Sequence, residues 1–160
     1  MAERSVGLIG GIFSALLLVS VVLAEERPSL MTQARMEAII RDLAGTTRGQ
    51  PGFVQFDVDG MTLACISDVR HDRMRLIVPV LKTADLTAAQ VERILDANFH
   101  TALDARYASS RGVLYAVFVH PLSTLTEHDL RGAIRQVFTL ARTFGTTYSS
   151  GELTFGGDSR

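Results

Sequence analysis

The dipeptide Asp59-Gly60, set between two runs of alternating side chains, constrains this chain more than any other feature. Asp-Gly favours a two-residue type I′ turn, because both central positions need positive φ. Placing Val58 opposite Met61 fixes the register: Phe56 then faces Leu63, and Val54 faces Cys65. All six are apolar, and alternation puts them on one face of the hairpin. A slip of one residue would turn the whole set to solvent, so the pairing is strongly specified. The chain must therefore build a sheet with one buried face around this hairpin.

The rest of the chain reads outward from it. A third strand, Met74 to Leu81, extends the sheet. With Arg70-His71-Asp72-Arg73 as a four-residue loop, Val69 opposes Met74 and Asp68 faces Arg75, while Leu76, Val78 and Val80 join the core face. Pro79 has no N–H to give a ladder, so one side of this strand is unpaired there. The first helix runs from Gln33 to Ala44, with Met36, Ile39, Ile40 and Leu43 at helical spacing and Gly45 as its stop. Thr46 to Gly52 reads as a loop closed by Pro51-Gly52. A second helix starts at Thr87, with Gln90 completing a capping box, and carries Val91, Ile94, Leu95, Asn98 and Phe99 on one face. A second hairpin spans Thr101 to Ala108 and Val113 to His120, turning through Ser109 to Gly112. The third helix opens at Thr126 with Asp129 as reciprocal cap, presents Leu130, Ala133, Ile134, Val137, Phe138, Ala141 and Phe144, and stops at Gly145. Residues 146–160, rich in Ser, Thr and Gly, read as a mostly disordered tail.

The order is thus α-β-β-β-α-β-β-α, an α+β fold whose antiparallel sheet carries its helices on one face. The segments Leu95-Asp96-Ala97-Asn98-Phe99, Gly112-Val113-Leu114 and Pro121-Leu122-Ser123-Thr124-Leu125, in that element order, resemble the class I type III secretion chaperones (the Tir-chaperone family) and the related YbjN family. The resemblance covers roughly Met36 to Gly145. It implies homodimers that hold an extended segment of a protein or peptide partner on their surface, without a cofactor and without catalysis. Those chaperones work in the cytosol before export and tend to be acidic, whereas this chain is near neutral and opens on an export signal.

That signal is residues 1–24. Met1 to Arg4 form a short charged start, Val6 to Leu23 an apolar run, and Val22-Leu23-Ala24 a signal-peptidase pattern followed by polar Glu25-Glu26-Arg27-Pro28. Cleavage after Ala24 is the favoured expectation, giving a periplasmic or secreted protein of a bacterial envelope; an uncleaved inner-membrane anchor over residues 6–23 is the alternative. Residues 25–145 then form a single α+β domain, a length that suits one core and not two. The formal charge of −1 leaves no overall electrostatic footprint for nucleic acid or anionic lipid. One cysteine, Cys65, precludes an intramolecular disulfide and reads as a small buried hydrophobe.

Catalytic and metal chemistry find little support. None of the four histidines, His71, His100, His120 and His128, stands four residues from another on a helix, and zinc spacing is absent. His100 and His120 lie near the open end of the second hairpin, on opposite faces in the register chosen and paired by a one-residue slip. There is no G-x-S-x-G elbow, no G-x-G-x-x-G and no P-loop. The expectation is a non-enzyme with no catalytic residues, no metal and no cofactor. The candidate partner-binding residues are Phe53, Gln55, Ile66 and Ile77 on the face opposite the core: Phe53, Ile66 and Ile77 in one line across three strands, Gln55 in the adjacent row. A partly apolar row on a solvated face suits a bound segment or a second subunit. Cover by the first helix, or by the segment holding Leu30 and Met31, is the plainer alternative. The functional reading is an exported protein-binding module, with a small-ligand-binding or sensory envelope protein as runner-up.

Overall fold

A computed structural model describes residues 30–154 of the chain. The expected leader and residues 155–160 lie outside the described residues. The elements are α1 (Gln33–Ala44), β1 (Thr47–Gln50), β2 (Phe53–Val58), β3 (Met61–Asp68), β4 (Arg73–Lys82), α2 (Ala88–His100), β5 (Arg106–Ser110), β6 (Val113–His120) and α3 (Glu127–Arg142). They build one six-stranded sheet in the order β1-β2-β3-β4-β6-β5, antiparallel at every pair.

The first hairpin has the register that Asp59-Gly60 demands: Val58 pairs with Met61, Phe56 with Leu63 and Val54 with Cys65. Asp59 and Gly60 both have positive φ, at 46° and 81°. On the same face β4 adds Met74, Leu76 and Val78, and β6 adds Leu114, Ala116 and Phe118. Against them pack Met36, Ile39 and Ile40 of α1, Ile94 and Ala97 of α2, and Leu130, Ala133, Ile134, Val137 and Leu140 of α3. Each fully buried Phe, Leu or Ile there contributes about 1.5–3 kcal/mol of transfer free energy. Capping boxes start α2 (Thr87 with Gln90) and α3 (Thr126 with Asp129), so both helices begin where the sequence says. At Pro79 the β4–β6 register shifts, leaving Val80 as the extra residue of a bulge, and pairing with β3 does not extend beyond Ile77.

Four sequence expectations are corrected. Thr47–Gln50 is an edge strand and not loop; its polar TRGQ carries no alternation to announce it. A Pro51-Gly52 turn, with Gly52 at φ 89°, folds it onto β2, and at Gly49 (φ 117°) an added Cβ would collide with the Phe53 carbonyl oxygen. Second, the β3–β4 loop sits one residue earlier, over Val69 to Asp72, so Asp68 pairs with Arg73 and Ile66 with Arg75. Asp68 fixes it by accepting the N–H groups of Arg70 and His71, at 3.0 and 3.2 Å. Third, β5 begins only at Arg106 and turns tightly through Arg111-Gly112, pairing Ser110 with Val113. Fourth, Thr146 to Ser150 do not trail away. Tyr148 is buried against Phe144 and Tyr107, with ring centroids 5.2 and 6.1 Å apart, and the buried Ser150 hydroxyl donates to the Ala102 carbonyl at 2.6 Å.

Candidate protein-binding surface

Because all three helices pack on one side of the sheet, the alternate side chains of its strands face outward with no helix over them among the described residues. Two rows cross this face. One runs Phe53, Ile66, Arg75, Val119; the other runs Arg48, Gln55, Ala64, Ile77, Val117, Arg106. All four sequence-chosen residues, Phe53, Gln55, Ile66 and Ile77, therefore lie on it. Phe53 and Ile66 are direct neighbours as expected, but Ile77 pairs with Ala64 and stands one row over, in Gln55's row. The earlier β3–β4 loop is the reason: it moves the register by two, which preserves faces and exchanges rows.

The face is partly apolar and open. Phe53 is 39% exposed and Val119 50%, while Ile66, Ile77, Tyr115 and Val117 are half-buried. Between β4, β6 and the β5–β6 turn lies a concavity of about 570 Å³, lined by Ile66, Ile77, Tyr115, Val117 and Val119 together with Arg75, Arg111, Ser109 and Ser110. Sequence reasoning missed Val117, Val119 and Tyr115, because the adjacency of β4 and β6 spans a whole helix and a strand and has no local signal. The alternative covers are elsewhere: α1 packs on the core side, and Met31 is buried with its N–H donating to the Ser123 carbonyl at 3.2 Å.

The second helix shows another exposed apolar row. Ile94 and Ala97 are its buried residues, so Val91, Leu95 and Phe99, expected on the core side, point away from it at 42%, 65% and 76% exposure. Asn98 ties the helix to the sheet edge: its Nδ2 donates to the Tyr107 carbonyl at 3.1 Å and its Oδ1 accepts the Tyr107 N–H at 2.7 Å.

The remaining candidate groups are accounted for singly. Cys65 is buried with Sγ 3.8 Å from the Met36 sulfur; desolvation, then the nearby Glu37 carboxylate, pushes its pKa up to about 12. His100 ends α2, 3.7 Å from the Asp96 carboxylate, while His120 ends β6 with its ring Nδ1 2.8 Å from the Pro121 carbonyl, paired in register with Met74. The His100–His120 pairing thus does not form in the hairpin. Among the described residues no group of three or more His, Cys, Asp or Glu is placed to hold a metal ion. An open polar cleft of about 560 Å³ does lie beside the start of α3, lined by Asp104, Arg106, His120, His128, Asp129 and Arg135 among others.

The fold is shared with chains of known structure. The chain is similar to a chain in the crystal structure of the ExsC–ExsE complex, with a TM-score of 0.55 and 11% identity, over 80% of this chain and all of that one. It is also similar to a chain of the HopA1–SchA chaperone–effector complex, with a TM-score of 0.52 and 16% identity, over 68% of this chain and 88% of the other. The secretion-chaperone-like α+β fold is established by these likenesses. No protein-family profile and no curated protein sequence matches the chain.

Proposed function

We propose that this chain is a non-enzymatic, exported protein-binding module, a homodimer that holds a segment of another protein on its open sheet face. The observation that carries this reading is the partly apolar face centred on Ile66, Ile77, Val117 and Val119, beside the candidate residues Phe53 and Gln55, which no helix covers among the described residues. Monomeric proteins seldom leave such a face to water without a use for it. The fold shared with a chaperone–effector complex supports a protein as the occupant. The Val91, Leu95 and Phe99 row on α2 supports a two-fold dimer, in which one apolar stripe meets its own copy. Export rests on the sequence of residues 1–24, with periplasm or the extracellular space as destination and an inner-membrane anchor over residues 6–23 as the alternative.

The test is site-specific photo-crosslinking from Ile77 in the native host, followed by mass spectrometry. The same protein partner captured from Ile77 and from Phe53, and not from exposed Asp42 on α1, supports the reading; equal capture from all three overturns it. A second reading, a small-ligand sensor, is favoured by the polar cleft near His120 and Arg135. Native mass spectrometry of the purified protein would decide for it through a stoichiometric non-protein adduct.

A further inference from the structure

We infer that the segment held on the open face is acidic and apolar together, its carboxylates meeting Arg75 and Arg111 while its apolar side chains enter the concavity between them. This deepens the proposed function and rests on it.

The formal charge of the chain is −1, yet that charge is unevenly spread. The outward positions of the sheet carry Arg48, Arg73, Arg75, Lys82 and Arg106, and the β5–β6 turn adds Arg111. Against these six stand two carboxylates on the strands, Asp57 and Asp68, both engaged, and a third, exposed Asp59, in the β2–β3 turn at the far end of the hairpin. Asp57 pairs with Arg48 at 3.4 Å and accepts the Thr62 hydroxyl at 2.6 Å. Asp68 faces Arg73 across the ladder and lies 2.6 Å from the His71 ring nitrogen. Arg75 and Arg111 have no carboxylate within ion-pair distance among the described residues. They are the two basic groups that line the partly apolar concavity. Lys82 and Arg106 also lack a carboxylate partner among the described residues, but only Arg75 and Arg111 of the six line the concavity that holds the apolar side chains.

That juxtaposition selects a class of partner. Guanidinium groups take carboxylates in paired, directional hydrogen bonds. An aliphatic floor of Ile66, Ile77, Val117 and Val119 offers nothing to a phosphate backbone, and nucleic-acid interfaces are far more polar and more densely basic. A segment mixing Glu or Asp with Leu, Ile or Phe satisfies both halves of the site. Electrostatic complementarity of this kind acts mainly on specificity and on the rate of encounter, so salt should slow association before it abolishes binding.

The test uses the full chain and a short fluorescein-labelled peptide of Glu, Leu and Phe, followed by anisotropy, beside the same peptide with Gln for every Glu. The acidic peptide should bind, and the Gln peptide, or the Arg75→Gln/Arg111→Gln variant, should weaken binding by roughly tenfold or more. Ile77→Ser should weaken it too, with circular dichroism confirming that each variant is folded. Equal binding of both peptides, lost together in Ile77→Ser, would overturn the acidic preference and leave the protein-binding reading standing. Binding to neither peptide would overturn the inference alone, the crosslinking from Ile77 remaining the judge of the wider reading. A single-stranded oligonucleotide or anionic vesicles bound through Arg75 and Arg111 but indifferent to Ile77→Ser would overturn it in favour of a polyanion. Dimer formation lost in the double arginine variant would make a second copy the occupant and overturn it as well.

Discussion

Asn98 and Tyr107 meet as if the asparagine side chain were one more residue of the sheet. The amide donates to the Tyr107 carbonyl at 3.1 Å and accepts its N–H at 2.7 Å. Tyr107 lies in β5, an edge strand, so this contact covers one of the two sheet edges near the start of that strand. The phenol of the same residue donates to the Leu140 carbonyl on α3 at 2.7 Å, and its burial raises its pKa well above the ordinary tyrosine value. Tyr107 is thus held by α2 through its backbone and by α3 through its side chain.

Asn98→Leu should therefore destabilise the protein by about 2–3 kcal/mol, because two partly buried backbone groups of Tyr107 lose their partners at once. Asn98→Asp keeps the acceptor and loses the donor, and should fall between wild type and Asn98→Leu. Urea unfolding monitored by circular dichroism checks both. A leucine variant as stable as wild type would mean that water replaces the amide without penalty.

The two faces of the first hairpin should respond oppositely to truncation. Phe53→Ser and Ile66→Ser remove outward side chains and should shift stability by no more than about 1 kcal/mol each, within the ordinary range for surface positions. Phe56→Ala, one position from Gln55 but buried to 1% exposure, should cost about 3–5 kcal/mol. Collapse of the Phe53 or Ile66 variant would show that the face is covered in the folded protein.

What the sequence reveals here depends on whether a residue's neighbour is set locally. Asp59-Gly60 fixes a turn, and six apolar residues then confirm it, so the first hairpin is legible to the residue. The caps Thr87 and Thr126 are equally local and equally legible. The β3–β4 register is not, because Arg70-His71-Asp72-Arg73 and Val69-Arg70-His71-Asp72 make four-residue loops of equal length. The choice falls to Asp68, which holds the loop by its side chain, and to Asp72, which takes a φ of 50°. The candidate face follows the same division. Phe53, Gln55, Ile66 and Ile77 are assigned to it by alternation alone, whereas Val117 and Val119 join it only through β4–β6 pairing across a helix and a strand. Net charge misleads for a related reason: a chain total of −1 conceals a face rich in arginine.

Leu95→Asp should abolish dimers if the α2 stripe joins two copies. Leu95 and Phe99 are 65% and 76% exposed in the single chain, so the substitution removes little from its own core. Sedimentation velocity should show wild-type dimer and mutant monomer, with unchanged helicity. A wild-type monomer at every accessible concentration would remove the dimer from the proposed function.

Cys65 should be chemically silent until the protein unfolds. It is 2% exposed, and burial lifts its pKa to about 12, so almost no thiolate forms at pH 8 and no reagent reaches it. A thiol-reactive dye should label it only in denaturant, with the labelling midpoint matching the circular dichroism midpoint.

Acid should loosen the junction where the β3–β4 loop meets the entry to α3. Asp72 accepts the Ser123 N–H at 2.7 Å and the Ser123 hydroxyl at 2.8 Å, and these bonds hold its pKa below the usual 3.8. The Thr126 hydroxyl, donating to Asp129 at 2.6 Å, does the same at the α3 cap, helped by its backbone N–H. A carboxylate with a lowered folded pKa stabilises the fold above its unfolded pKa, and that contribution is lost as pH falls through the folded value. The stabilisation is thus present above the unfolded value of 3.8 and is lost progressively as pH falls below it, through the folded value. Asp72→Asn should be less stable than wild type at neutral pH, with the difference shrinking steadily as pH falls below 3.8. Urea midpoints for both proteins across this range give the answer. A difference independent of pH would mean that Asp72 acts through its shape and not its charge.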